Sequence, residues 1–141
     1  MSRLREDTRP PLFVEVMATE RNASQLRRQF HDWLTLDVPT DTVNDLVLVV
    51  YEAVANAVEH AYVDHTGAPG PLRLEAHRTD AQVLITVADE GSWRGPIGDR
   101  FRGNGIPLMR NLTREVRIER THRGTVVRFR AQIDASAPGS T

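Results

Sequence analysis

Three polar side chains on one apolar stretch are the first candidates for chemistry. Glu52, Asn56 and His60 follow one another at i, i+4 and i+8. On a helix, successive members of that series sit ~40° apart around the axis, so they form a single row on the shoulder of an apolar face. Such a row is either a set of groups presented to a ligand or an ordinary boundary between the buried and wet sides. Two further features lean toward a ligand. The apolar run Leu84–Ala88 ends in Asp89-Glu90-Gly91, a carboxylate at a strand end followed by a glycine that lets backbone approach a bound molecule. Gly103-Asn104-Gly105 then precedes a short apolar segment. If that segment is a helix, its free N–H groups and the positive end of its dipole face a phosphate.

The elements that must position these groups can be read from the apolar periodicity. Leu12–Val16 reads as a strand. Asn22, with Gln25 three residues on, predicts a capped helix whose apolar side carries Leu26, Phe30, Trp33 and Leu34. Asp37-Val38-Pro39 breaks it. Thr40 then predicts the cap of a long second helix over 41–62, with Asp41 in its first turn. Its stripe is Val43, Leu46/Val47, Val50, Val54, Ala57/Val58 and Ala61; the 3–4 spacing and the length outweigh the β-branched residues. After a Gly/Pro loop over 65–71, Leu72–His77 and Gln82–Ala88 predict two strands joined near Thr79-Asp80-Ala81. The glycine-rich stretch Asp89–Gly105 is a long loop, Ile106–Leu112 a short helix, and Glu115–Arg120 with Thr125–Ala131 a final hairpin. The order β-α-α-β-β-loop-α-β-β predicts an α+β fold, a two-layer sandwich with one mixed, mostly antiparallel sheet covered on one face by helices.

Composition narrows the chemistry further. The 141 residues, 40% apolar and 26% charged, fit one globular domain. There is no cysteine, which excludes disulfides, thiolate metal sites and a cysteine nucleophile. There is also no lysine, so all 18 basic residues are arginine; a Walker phosphate loop, a protein-kinase-like centre and Schiff-base chemistry are excluded with it. The net charge of -1 hides an asymmetry, for Gly91–Arg130 alone carries +7. That charge is spread over loop and strands without interleaved aromatics, so no nucleic-acid partner is expected. No run approaches a membrane span and the first residues have no apolar signal core, so the expectation is a cytoplasmic chain without membrane contact. Domain boundaries are expected at a flexible tail 1–11, a domain 12–133 and a flexible tail 134–141.

Taken together the motifs resemble a known superfamily. Tyr51-Glu52-Ala53-Val54-Ala55-Asn56-Ala57-Val58-Glu59-His60-Ala61-Tyr62 resembles the asparagine box of the GHKL ATPases, which include histidine-kinase ATPase domains, gyrase and MutL. Ala88-Asp89-Glu90-Gly91 resembles the first glycine box, Arg102–Met109 the second, and Gly124-Thr125-Val126-Val127 the Gly-Thr signature of the last hairpin. The phrase from Arg102 to Arg110 and the short loop look most like the RsbW/SpoIIAB-type anti-sigma-factor serine kinases. The resemblance spans about Leu12–Ile133. It implies the Bergerat (GHKL) fold, ATP and Mg²⁺ as cofactors, and the following roles. Asp89 hydrogen-bonds the adenine amino group, with Thr125 supporting it and Gly91 giving the base room. Asn56 is the magnesium ligand. Gly103 and Gly105 let backbone close over the phosphates, with Arg100 and Arg102 as their positive partners. Glu52 is the catalytic carboxylate that orients or deprotonates a serine hydroxyl. His60 either stands near the phosphates or serves the helix end, where a histidine suits the dipole; the second reading is preferred.

The partners so implied are an anti-anti-sigma (antagonist) protein, whose serine is phosphorylated, and an RNA polymerase sigma factor, which the kinase sequesters; a homodimer is left open. One departure matters. The first glycine box commonly reads Asp-x-Gly-x-Gly, and here the second glycine is Trp93. Two functions therefore remain in competition: a protein-serine kinase, and a catalytically weak or inactive ATP-binding switch in the same partner-switching pathway.

Overall fold

Alternation along the strands fixes which face of the sheet is dry. A computed structural model describes residues 10–35, 38–62, 68–79, 81–91 and 115–133. Within them the order is β1 Leu12–Met17, α1 Glu20–Leu34, α2 Thr40–His60, β2 Pro71–Arg78, β3 Gln82–Asp89, β4 Glu115–Thr121 and β5 Gly124–Gln132. The strands form one five-stranded sheet in the order β1-β2-β3-β5-β4. Every neighbouring pair is antiparallel, so the allowance for a mixed sheet was not needed among the described residues.

Register puts apolar side chains in rows across all five strands. Val14, Leu74, Val87, Val127 and Ile118 are consecutive cross-strand partners, as are Leu12, Ala76, Ile85, Phe129 and Val116. These positions belong to the core or pack against it. The intervening residues point the other way and stay wet: Phe13, Glu15 and Met17 on β1, Leu84 on β3, and Arg117 on β4 are exposed. The two helices cover only the apolar face, as the period-2 pattern of β2 and the central strand β3 requires.

The helices supply the other half of the core. α1 buries Ala23, Leu26, Phe30 and Leu34. Its N-cap is Thr19, not the expected Asn22: Thr19 Oγ1 accepts from the Asn22 N–H at 3.1 Å, while Asn22 Nδ2 donates to the Met17 carbonyl at 2.9 Å. Both residues are capping types, and three residues of separation decide which one faces the orphan N–H. Trp33 Nε1 donates to the Pro10 carbonyl at 2.9 Å, which ties the segment before β1 to α1. α2 begins at Thr40, with Pro39 at the cap position and no side-chain cap bond, so Thr40 is inside the helix it was expected to cap. Its buried face runs Val43, Leu46, Val49, Val50, Ala53, Val54, Asn56 and Ala57. Asn56 is the sole polar member of that series. No described helix is long and apolar enough to cross a membrane. The expected helix over 106–112, residues 1–9 of the expected tail 1–11, and the expected tail 134–141 lie outside the described residues.

Candidate functional site

The end of α2 and the end of β3 meet, and the contact is backbone on backbone. A Cβ on Gly91 would stand 1.9 Å from the Ala61 carbonyl oxygen and 2.5 Å from its carbon. Only glycine permits that approach. This is a reason for Gly91 separate from the expectation that it makes room for a base. A second close approach fixes the neighbouring strand end. Gly124 has φ +143°, and a Cβ there would stand 1.9 Å from the Asp89 carbonyl oxygen. The first residue of β5 is thereby seated against the last residue of β3.

Asp89 sits between these two glycines and is 6% exposed. A buried carboxylate needs donors. Its Oδ1 accepts the Gly91 N–H at 3.0 Å and the Thr125 N–H at 3.4 Å. Thr125, itself 2% exposed, therefore supports the carboxylate through its backbone amide. The sequence could suggest that Asp89 and Thr125 act together, but not which group of Thr125 makes the contact.

Across the junction, α2 presents the polar row. Asn56 is 7% exposed, and its Nδ2 donates to the Glu52 carbonyl one turn earlier at 2.7 Å. That bond uses an N–H of the amide and not its oxygen. Glu52 is half-buried. His60, in the last turn, has Nε2 3.1 Å from Glu59 Oε1. A cavity of about 290 Å³ reaches the Asp89–Glu90 turn from the open side of the sheet, lined in part by Arg73, Glu90, Arg123 and Val126. It lies on the opposite face from Glu52 and Asn56, and so does not join the strand ends to the row on α2.

The described residues thus bring Asp89, Gly91 and Thr125 together and place Asn56 and Glu52 on the helix whose end abuts them. Arg100, Arg102, Gly103, Gly105 and Trp93 lie outside the described residues. Gly124 and Tyr62 were present in the motifs without a role. The positive φ of Gly124 and the phenol of Tyr62, treated below, emerge only once distant strands are paired.

Comparison with known proteins places this geometry. The sequence profile of the histidine kinase-like ATPase domain matches residues 16–131. The chain belongs to that family. Within it, the similarity runs to the anti-sigma-factor branch suggested by the motifs. An anti-sigma F factor of Pasteuria penetrans is 32% identical over 114 residues, covering 72% of this chain and 75% of the relative. A blue-light-activated histidine kinase 2 of Erythrobacter litoralis is 30% identical over 102 residues, 66% of this chain and 28% of that protein. Among solved structures, the RsbU and RsbW domains of a Mycobacterium tuberculosis protein superpose with a TM-score of 0.71 at 28% identity, over 88% of this chain and 32% of that one. This chain therefore spans less than a third of the last two relatives. The five-stranded antiparallel sheet with its helices on one face matches the fold of that structure neighbour.

Proposed function

We propose that the chain is an ATP- and Mg²⁺-dependent protein-serine kinase that also acts as an anti-sigma factor. It would phosphorylate a serine of an antagonist protein and hold a sigma factor when that antagonist is blocked. The observation that carries this reading is the pairing of a buried, doubly hydrogen-bonded Asp89 with a helix bearing Glu52 and Asn56 across the Ala61–Gly91 contact. A nucleotide-free scaffold needs neither feature, and a nucleotide-binding switch without turnover has no need of Glu52.

Each residue then has a task. Asp89 accepts the adenine amino group through its carboxylate, whose orientation the Gly91 and Thr125 amides hold. Asn56 offers a hard oxygen suited to magnesium, which takes few protein ligands and keeps phosphate and water oxygens. Bound there, magnesium would neutralise charge on the phosphates. Glu52 orients the serine hydroxyl and takes its proton as the oxygen bonds to the γ-phosphorus; the bond to the bridging oxygen breaks and ADP leaves. Arg100 and Arg102 supply the positive charge, the role a lysine fills elsewhere.

Glu52→Ala tests the assignment. Phosphoryl transfer to the cognate antagonist, followed with labelled ATP and phosphoserine mapping, should fall by about 100-fold or more. ATP affinity measured by calorimetry should stay within about twofold of the parent. Transfer that persists in the variant overturns the base assignment. The second reading, a nucleotide-responsive switch without turnover, rests on Trp93 in place of the second box glycine. Partners captured from the host that bind the chain yet never acquire phosphoserine would favour it.

A further inference from the structure

One phenol joins the two halves of the site. Tyr62 follows α2 by two residues, and its hydroxyl stands between two other elements. It donates to the Pro71 carbonyl at the start of β2, at 2.6 Å. It accepts from the Glu90 N–H just past β3, at 2.8 Å. The ring is seated as closely: a Cβ on Gly70 would come within 2.3 Å of its Cε1. Gly70 is held in turn, because its carbonyl accepts the Ala18 N–H at 2.8 Å. Directly before Tyr62, the Ala61 carbonyl packs on Gly91. A single dipeptide after α2 thus touches both ends of the Glu90–Gly91 segment.

Packing alone does not call for a hydroxyl there. Phenylalanine would fill the same space against Gly70 without bringing a polar atom to a half-buried position. The hydroxyl is used instead as a two-way tether, donor on one side and acceptor on the other. Burial pushes the phenol pKa up, and the Asp89 and Glu90 carboxylates push it the same way against the opposing Glu90 N–H. The group therefore keeps its proton near neutrality and can make both bonds at once.

We propose that Tyr62 is a positioning residue for the nucleotide: its hydroxyl ties the Asp89–Gly91 turn to the end of α2 and so holds the purine-reading carboxylate in fixed relation to Glu52 and Asn56. The inference rests on the ATP site proposed above. Without the tether the Glu90 N–H and the Pro71 carbonyl lose a partner and the turn can shift. Hydrogen bonds are steeply directional, so the adenine contact suffers before any contact with the phosphates does.

The test is base discrimination in Tyr62→Phe. Dissociation constants for ATP and GTP with Mg²⁺ are measured by calorimetry, alongside transfer at saturating ATP. ATP binding should weaken about threefold to tenfold, the worth of one net hydrogen bond, while GTP changes by less than about twofold. The ATP/GTP preference should contract accordingly, while transfer at saturating ATP falls by less than ATP affinity does. A purely structural tyrosine would lower the melting temperature and leave that preference intact. A second measurement needs no loss of the phenol. The chain has two tyrosines, so Tyr51→Phe labelled with 3-fluorotyrosine reports Tyr62 alone by fluorine resonance. That resonance should move on adding ATP and move less with GTP. An unchanged preference in Tyr62→Phe, or a fluorine signal indifferent to bound ATP, overturns the positioning role and leaves the ATP site standing. A parent chain that binds neither nucleotide overturns the ATP site and this role together.

Discussion

The two shoulders of the candidate site are held by opposite means. At the strand ends backbone touches backbone: Gly124 lies on the Asp89 carbonyl and Gly91 on the Ala61 carbonyl, with no room for one added carbon. On α2 the functional groups sit at the margin of an apolar face, where Asn56 is fixed by one bond to the Glu52 carbonyl and Glu52 is half-buried. The first shoulder is defined by shape and the second by chemical identity. Substitutions on the strand side should therefore be read first in stability, and those on the helix side first in turnover. Glu52→Ala, sparing binding while removing transfer, is the helix-side half of that contrast.

Gly124→Ala is the strand-side half and carries the largest expected effect. The new methyl must be placed 1.9 Å from a carbonyl oxygen and on a backbone with φ +143°. Strain and overpacking together should cost about 4 kcal/mol, a large share of the stability of a domain this size. Urea unfolding followed by circular dichroism reads it directly. A loss under about 1 kcal/mol would mean that β5 can shift its start, and the contrast between the shoulders would collapse.

Asp89→Asn asks whether the strand shoulder also carries chemical identity. Asparagine keeps the volume and can keep one oxygen facing the Gly91 and Thr125 amides, so stability should change by about 1 kcal/mol or less. The second oxygen becomes an amide that cannot accept the adenine amino group. ATP affinity should fall roughly 10- to 100-fold, as expected for a lost hydrogen bond to a charged acceptor. Calorimetry against ATP and GTP gives the result. If affinity holds, the carboxylate serves only the turn, and adenine is recognised elsewhere.

This division also explains how far the sequence could be read. Period-2 and 3.6 alternation made β2, β3, β5 and α2 plain, because each buries one face against a partner of the same pattern. Asp89, Gly91, Asn56 and Glu52 were visible because their spacing is local to one helix and one strand end. The capping residue of α1 was misassigned because Thr19 and Asn22 are both good caps and differ only in geometry. The Thr125 amide, the Gly124 φ and the Tyr62 tether were hidden for a common reason. Their partners lie far along the chain: Asp89 is 36 residues from Thr125, and Glu90 is 28 from Tyr62. Only the pairing of β3 with β5, and the docking of α2 on the sheet, brings those groups together.

The smallest expected effect tests the join between the shoulders. Tyr62 has its pKa raised from 10.0 chiefly by burial, with Asp89 and Glu90 adding to the rise and the Glu90 N–H opposing it. A raised folded-state pKa means that the protonated phenol is favoured by folding. Its contribution to stability is then complete below pH 10.0 and is lost as pH climbs through the higher folded value. Ionisation also removes the proton donated to Pro71, so the tether opens in the same range. The urea midpoint of the parent should therefore fall above about pH 10 by more than that of Tyr62→Phe, which has no phenol to ionise there. The absence of lysine and cysteine removes two side chains that normally ionise alongside tyrosine, and Tyr51 is common to both proteins, so the difference between their profiles reports Tyr62. Parallel alkaline profiles for the two proteins would show that the phenol bears none of the load between α2 and the Asp89 turn, and the shoulders would then be joined by the Ala61–Gly91 contact alone.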